Sequence, residues 1–200
     1  HSADTQKALT YLKMAARKAE EKYAPATCIE YTRQTLAIYR ALGDRAGQAG
    51  ALYAMGVKAY EMGNYPDARA WLEEAAGLQR DLQDPKSEAW SVMYLGMVAL
   101  KQGDYLLAAR HHQAALDNAR ARGDSFQEGI HLTNLARVTM RLGQYEQALA
   151  QFEQSLALKK GNNDITGQAF ALFYLGLTRL QQGKMDDAEA YFSDSQSMWL

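Results

Sequence analysis

The chain has 200 residues, and its 34 alanines and 24 leucines far outnumber its 4 valines and 4 isoleucines. Alanine and leucine favour helices, whereas β-branched residues favour strands. The 22 basic and 23 acidic residues give a formal net charge of −1, without the basic excess that nucleic-acid-binding proteins use to replace phosphate counterions. The composition therefore predicts an all-α protein and argues against sandwiches, barrels, doubly wound sheets and nucleic-acid binding.

The chain contains no segment suited to crossing a membrane. Its longest apolar stretch, residues 169–177, has 9 residues, whereas a bilayer requires about 20. The single cysteine, Cys28, cannot form an internal disulfide. We therefore expect a cytoplasmic protein without a membrane partner. Because the chain begins with His1 rather than Met, we also expect it to be a piece of a longer protein.

A period of 40 residues runs through most of the chain. A Leu or Met followed by Gly or Ala recurs at 55–56, 95–96, 135–136 and 175–176, and a turn glycine recurs as Gly63, Gly103, Gly143 and Gly183. A small residue recurs as Cys28, Ala68, Ala108, Ala148 and Ala188. An aspartate recurs as Asp44, Asp84, Asp124 and Asp164. Four features that keep one register predict a repeat protein.

Each repeat predicts two helices. Leu52, Met55, Gly56 and Ala59 follow the i, i+3, i+4, i+7 spacing of one helical face. A second helix is expected after the turn glycine, whose position suits the left-handed end of a helix. We predict first helices near residues 47–62, 87–102, 127–142 and 167–182. The recurring aspartates, and the basic residues four positions before them, are interpreted as helix caps rather than as a site.

These units resemble the tetratricopeptide repeat (TPR). The 55–56 pair matches the Leu-Gly/Ala pair of that family, Gly63 and Tyr65 match its Gly-x-Tyr turn, and Phe152 matches its second-helix aromatic. The usual TPR period is 34 residues. The longer period is similar to arrays in kinesin light chains, spindle-orienting G-protein scaffolds and the sensor regions of STAND-type ATPases and transcription activators. The resemblance implies a right-handed α-solenoid, a TPR-like superhelix of about five stacked antiparallel helical hairpins, with first helices on the concave face.

The resemblance also predicts the domain organisation. Four regular repeats are expected at 45–84, 85–124, 125–164 and 165–200, in one continuous solenoid. Residues 1–44 depart from the motif, since Ala15-Ala16 replaces the Leu-Gly pair, and are predicted to be a diverged first hairpin or a cap. The last predicted helix carries Met198 and Trp199 instead of the polar cap that ends natural arrays. We therefore expect either truncation or self-association through the C-terminal end.

No residue pattern indicates catalysis or metal binding. The sequence has no HExxH, P-loop, GxSxG or CxxC motif. His111 and His112 are adjacent, so they cannot form an i, i+4 metal pair, and His112 occupies the position of the packed aromatic. His131 has no obvious carboxylate partner, and Cys28 occupies a small-residue packing position. We predict a protein that is not an enzyme, with no catalytic residue, metal or cofactor.

The resemblance places the partner-binding surface on the first helices. Most of the candidates are aromatic residues or methionine, which are enriched at interfaces and adaptable surfaces. Asn134 matches a TPR position that often holds the backbone of a ligand, and the two arginines that follow it on the same face can bind a carboxylate. Tyrosine fills the equivalent of Asn134 in two other repeats, so the full carboxylate clamp is absent. The candidates are Tyr53, Tyr60, Trp90, Tyr94, Met97, Asn134, Arg137, Arg141, Phe173 and Tyr174.

Two functions stay open at the level of the sequence. The first is a non-enzymatic scaffold that binds a peptide or helix of a protein partner in an aromatic-rich concave groove. The second is a sensor region of a larger signalling ATPase or transcription regulator, which binds a small effector or mediates self-assembly. An open groove would favour the first function, and a deep enclosed aromatic pocket would favour the second.

Overall fold

The computed structural model describes residues 2–199, with side chains from residue 4 onward, and it is α-helical without strands over that range. The helices are α1 (Ser2–Glu21), α2 (Pro25–Leu42), α3 (Arg45–Glu61), α4 (Tyr65–Asp81), α5 (Pro85–Lys101), α6 (Tyr105–Ala121), α7 (Ser125–Arg141), α8 (Tyr145–Gly161), α9 (Ile165–Gln181) and α10 (Met185–Ser197). The predicted all-α array of helical hairpins is confirmed.

The helices form two compact units, one ending at Gln102 with α1–α5 and one starting at Gly103 with α6–α10. Within each unit, helices that follow one another in the chain pack against each other. The predicted division into a diverged first hairpin and four regular repeats stays a prediction.

The four recurring aspartates cap the first helices, as predicted. The Asp44 carboxylate accepts a hydrogen bond from the Gly47 N–H at 2.8 Å, and Asp124 accepts one from the Gln127 N–H at 3.0 Å. Such a bond satisfies one of the backbone donors that a helix start leaves unpaired. Because the aspartate is itself the N-cap, each first helix begins at the next residue, two positions earlier than predicted.

The turn glycines adopt the left-handed conformation predicted for them. Gly63 has a φ of 77° and Gly143 a φ of 77°, a region in which a side chain would be strained. The chain therefore reverses within about three residues, and the two helices of a hairpin lie antiparallel.

The helices of a hairpin meet at a small residue of the first helix. A Cβ added at Gly56 would lie 2.6 Å from Cγ of Leu72, which is fully buried. A Cβ at Gly176 would lie 2.7 Å from a ring carbon of Phe192. Only glycine leaves room for such an approach without repacking. This contact fixes the rotation of each first helix and therefore decides which of its faces stays outside the core.

In each unit one pair of first helices approaches more closely than the second helices do. Cα atoms of α3 and α5 come within 8 Å of each other, as do those of α7 and α9, whereas no described Cα atom of α2 lies within 8 Å of one in α4. Long side chains span the wider gap, as in the 2.8 Å pair between Arg40 and Glu74. Side chains on α3 and α5, or on α7 and α9, can therefore form joint surfaces.

His112 and His131 are buried in the second unit, and neither imidazole has a hydrogen-bond partner among the described residues. Burial, together with nearby positive charge, lowers the pKa of His112 to about 3 and that of His131 to about 4. The prediction that His112 is a packed core residue is confirmed. Both rings are therefore neutral in the folded protein near neutral pH.

The hairpin contact predicts opposite effects for two Gly-to-Ala changes. Gly56→Ala places a methyl group against the buried Leu72 and should lower the free energy of unfolding by about 1–3 kcal/mol through overpacking. Gly77→Ala in α4, where an added Cβ meets nothing within 4 Å, should raise it by about 0.5–1 kcal/mol because alanine is the better helix former. Urea unfolding measures both, and equal effects would contradict the close approach at Gly56.

The buried histidines predict sensitivity to acid. In the unfolded chain the histidine pKa is about 6.5, above both folded values, so protons bind preferentially to the unfolded state. The histidine contribution to stability is therefore present above about pH 6.5 and is lost as the pH falls towards 4. We expect His112→Phe to reduce the loss of unfolding free energy between pH 6.5 and 5 by roughly half, since His131 remains. An unchanged pH dependence in urea unfolding would contradict this assignment.

Candidate functional site

Three of the predicted tyrosines come together in the first unit. The ring of Tyr94 on α5 lies 5.8 Å from that of Tyr53 and 5.7 Å from that of Tyr60, both edge to face. Tyr65, at the start of α4, joins them at 6.1 Å from Tyr60. We call these four residues the tyrosine cluster. Tyr53 and Tyr60 are two turns apart on α3, and the ring of Tyr94 on α5 lies between them. The tyrosine cluster therefore depends on the close approach of α3 and α5.

The hydroxyl groups of Tyr53 and Tyr94 stay protonated at neutral pH. Burial, with a contribution from Tyr94, raises the pKa of Tyr53 to about 12, and burial also raises the pKa of Tyr94. Both side chains are nevertheless partly exposed. A protonated phenol is both a donor and an acceptor of hydrogen bonds. The cluster therefore combines apolar ring surface with polar groups that suit the backbone of a bound chain.

Trp90 and Met97 extend the cluster along α5. Trp90 is one turn before Tyr94 and Met97 is one turn after it, and both side chains are partly buried. Their spacing places them on the same face of the helix as Tyr94. The five predicted residues of the first unit therefore share one surface on α3 and α5.

In the second unit the predicted residues form a stack of a cation on aromatic rings. The Arg137 guanidinium lies 5.1 Å above the ring centroid of Tyr174. Tyr174 in turn stacks on the buried Phe152 at 5.5 Å, with an angle of 6° between the rings. Phe173, which is 42% exposed, contacts Tyr174 edge to face at 5.6 Å. The stack holds Arg137 at a defined place on the surface of α7 and α9.

Asn134 has a different environment from the one expected for an exposed anchor. It is buried, and its Oδ1 accepts a hydrogen bond from a terminal nitrogen of Arg137 at 3.0 Å. In this structure Asn134 therefore orients the guanidinium that lies on Tyr174. Arg141, one turn further along α7, is exposed, and neither arginine forms an ion pair with a described carboxylate. Two cations on one helix face are thus available to an anionic group.

The first unit also contains a groove that was not predicted. It lies between α1 and α3, with α2 as its floor, and has a volume of about 580 Å³. The sequence carries a signal for it: Gly50 and Ala54 stand where the next repeat has Trp90 and Tyr94. Gly50 and Ala54 therefore leave room in the wall that α3 contributes, and larger α3 residues such as Tyr53 and Val57 complete that wall.

The described residues include no group of three or more His, Cys, Asp or Glu side chains placed to hold a metal ion. Likewise, none of the helices in the described range combines the length and the apolar character needed to span a bilayer. The polar groups of the two surfaces are phenols, the indole N–H of Trp90, one amide and two guanidiniums. Such groups bind through hydrogen bonds and charge.

The family model of the tetratricopeptide repeat matches residues 87–161 and 132–199, more than half of the chain. This chain belongs to the tetratricopeptide repeat family. The matched repeats include the ones that carry Trp90, Arg137 and Tyr174. No curated protein matches the chain by sequence.

Solved structures share the fold at low sequence identity. A Podosopora anserina protein of the kinesin light chain type with TPR-like repeats aligns with a TM-score of 0.77 and 16% identity, over 95% of this chain and 93% of that chain. Rap protein in complex with competence and sporulation factor aligns with a TM-score of 0.81 and 15% identity, over 96% of this chain and 55% of that chain. The Pyrococcus horikoshii signal transduction ATPase with a TPR sensor aligns with a TM-score of 0.78 and 20% identity, over 92% of this chain and 29% of that chain. At these identities the likeness establishes the fold.

The raised pKa of Tyr53 predicts a loss of stability in alkali. In the unfolded chain a tyrosine ionises near pH 10, below the folded value of about 12. The contribution of Tyr53 is therefore complete below pH 10 and is lost as the pH rises towards 12. Phenolate absorbance should show its highest-pH step disappear in Tyr53→Phe. The same change at Tyr23, which is 94% exposed, should leave that step in place, and the opposite pattern would contradict the assignment.

Proposed function

We propose that this TPR chain is a non-enzymatic interaction scaffold that binds a peptide or helix of a protein partner on its first helices. The proposal is carried by the partly exposed aromatic residues on paired first helices in each unit, accompanied in the second unit by Arg137 and Arg141. Members of the TPR family bind protein partners, and a solved relative of the same fold is a complex of Rap protein with competence and sporulation factor.

The physical argument concerns the side-chain entropy that the protein loses when a ligand binds. Tyrosine and tryptophan bury a large area with few rotatable bonds, so little side-chain entropy is lost on binding. Tyr94 is already held by its ring contacts with Tyr53 and Tyr60, which reduces that loss further. In the second unit the hydrogen bond from Arg137 to Asn134 and the contact with Tyr174 prepare a guanidinium for a carboxylate. Both surfaces are thus preorganised for a ligand.

The proposal includes no catalytic step, cofactor, metal or nucleic acid. Among the described residues, neither His112 nor His131 has a hydrogen-bonded partner that could make it a base, and the balanced charge does not favour phosphate binding. We also propose a cytoplasmic location, which suits the free thiol of Cys28. Self-association is a further part of the proposal, supported by Trp199, which is 56% exposed and packs edge to face on Phe170.

A second candidate is a sensor region within a larger signalling ATPase or transcription regulator, which would bind a small effector or mediate self-assembly. It is favoured by the likeness to the ATPase with a TPR sensor, of which this chain spans 29%. The two candidates differ in the size of the ligand, because an open surface binds an extended chain and a small effector needs an enclosed pocket.

Selection of peptides from a phage-displayed random dodecapeptide library tests the scaffold function. Each selected peptide should bind about 30-fold more weakly to Trp90→Ala or to Arg137→Ala, depending on the unit that it occupies. Truncation of a central aromatic or arginine anchor commonly costs about 2 kcal/mol or more of binding free energy. Calorimetric titration of the selected peptides measures the affinity, and circular dichroism confirms that helicity is unchanged.

Arg69→Ala is the matched control. Arg69 lies on the second helix α4, where it donates a hydrogen bond to Gln102, so its loss should change peptide affinity less than twofold. A strong effect of Arg69→Ala together with silent Trp90→Ala and Arg137→Ala would show that the wrong face was assigned. If no peptide is selected and a small molecule raises the melting temperature instead, the sensor candidate replaces the scaffold.

A further inference from the structure

His112, on α6, stands at a position where other repeats have apolar residues. Its equivalents 40 residues earlier and later are Leu72 and Phe152, which are fully buried, as His112 is. Neither nitrogen of its imidazole has a hydrogen-bond partner among the described residues. A buried polar group without a partner costs stability, so packing alone would favour leucine or phenylalanine at this position.

His131, on α7, departs from its repeat in the same way. Its equivalents are Ser91 and Ala171, which are smaller and equally buried. The imidazole of His131 is fully buried as well, and both of its nitrogens lack a partner in the part of the chain that the structure describes. The helices α6 and α7 pack against each other, and His131 acts electrostatically on His112. Each of the two helices therefore contributes one buried, unpaired imidazole to this part of the second unit.

Burial disfavours a positive charge on both rings, and most of the charged groups around them add to this effect. The groups that act on His112 are His131, Arg137 and His111. Arg122 opposes a charge on His131, and Asp124 favours one. Together these influences lower the pKa of His112 to about 3 and that of His131 to about 4. Each ring therefore takes up a proton near pH 5 only after the contact that buries it has opened.

The protons that an open form takes up determine how far acid shifts the equilibrium. A histidine in contact with water has a pKa of about 6.5, so at pH 5 the open form binds a proton that the closed form excludes. For each histidine, the ratio of open to closed molecules rises roughly 20-fold between pH 7 and pH 5. Two histidines in one contact raise that ratio roughly 400-fold, because their effects multiply.

The contact between α6 and α7 is where this shift acts, because all of the described histidines lie on these two helices. By contrast, α7 is joined to α8 by groups that do not change charge between pH 7 and pH 5. The buried Ser155 hydroxyl donates a hydrogen bond to the Gly129 carbonyl at 2.7 Å and lies 2.6 Å from the Thr133 hydroxyl. Acid therefore separates α6 from α7 before it separates α7 from α8.

We propose that His112 and His131 form an acid-operated switch in the second unit. Between pH 7 and pH 5 the contact between α6 and α7 opens, while the helices of the first unit stay folded. Opening uncovers the apolar cluster of Leu116 on α6 with Leu132 and Leu135 on α7, all of which are buried in the closed form. The switch changes which surface the protein exposes and requires no ligand, so it is independent of the scaffold function.

Hydrogen exchange of the parent chain, measured by mass spectrometry and corrected for the intrinsic pH dependence of amide exchange, tests the switch. Between pH 7 and pH 5 the protection of amides in α6 should fall at least 100-fold, because a helix that loses a packed face is marginally stable in water. Protection in α3 and α4 should fall less than fivefold. Over the same range the fluorescence of 1-anilinonaphthalene-8-sulfonate should rise at least threefold, since the leucine cluster is uncovered.

Variants separate the two histidines from other effects of acid. In His112→Leu/His131→Leu neither side chain takes up a proton, so the protection of α6 should fall less than fivefold between pH 7 and pH 5. His111→Gln, at the adjacent and partly exposed histidine, and Glu128→Gln, which removes the ion pair with Arg120, should respond as the parent chain does. Circular dichroism at pH 7 confirms that each variant is helical.

Three results would overturn the proposal. One is unchanged protection of α6 in the parent chain between pH 7 and pH 5, and another is an equal loss of protection in α3. The third is a double variant that responds to acid as strongly as the parent chain, which would assign the response to groups other than His112 and His131.

Discussion

The close approach of two helices within each hairpin is the constraint on which the rest of the structure depends. A hairpin of about 40 residues cannot bury enough apolar surface to be stable alone, so stability requires tight packing within and between hairpins. Glycine at Gly56 lets the backbone of α3 approach Leu72, and Gly176 does the same for α9 and Phe192. Because this contact sets the rotation of each first helix, it also sets which side chains remain available for a partner.

The candidate binding surfaces consist of residues that remain partly exposed after the helices of the hairpins have packed together. Tyr94 is partly exposed although it packs against two other tyrosines, and Arg137 is partly exposed although it is held by Asn134 and Tyr174. Such side chains are ordered by the core while their outer faces remain accessible. This arrangement lowers the entropic cost of binding, and it explains why a repeat fold without catalytic groups can still have specific surfaces.

The first unit differs from the second in one physical respect that bears on function. In the second unit Cα atoms of α7 and α9 come within 8 Å of each other, and a large aromatic, Phe170, stands at the position that Gly50 occupies in α3. In the first unit no described Cα atom of α1 lies within 8 Å of one in α3, and an ion pair between Glu20 and Lys58 spans the groove between these two helices.

The sequence by itself determined the local features of this protein. The 40-residue period, the turn at Gly63 and the cap at Asp124 depend on neighbouring residues and on backbone conformation, so periodicity and residue type were sufficient to predict them. The location of the candidate surface on first helices also followed from the resemblance to the TPR family. Only the tertiary structure decided how those residues are used, because that depends on contacts between residues distant in the chain. Asn134 was expected to meet a ligand and is buried against Arg137, and the groove between α1 and α3 is lined by residues of three helices that are distant in the chain. Distances between helices are set by the packing of all their side chains together, and no single repeat of the sequence contains that information.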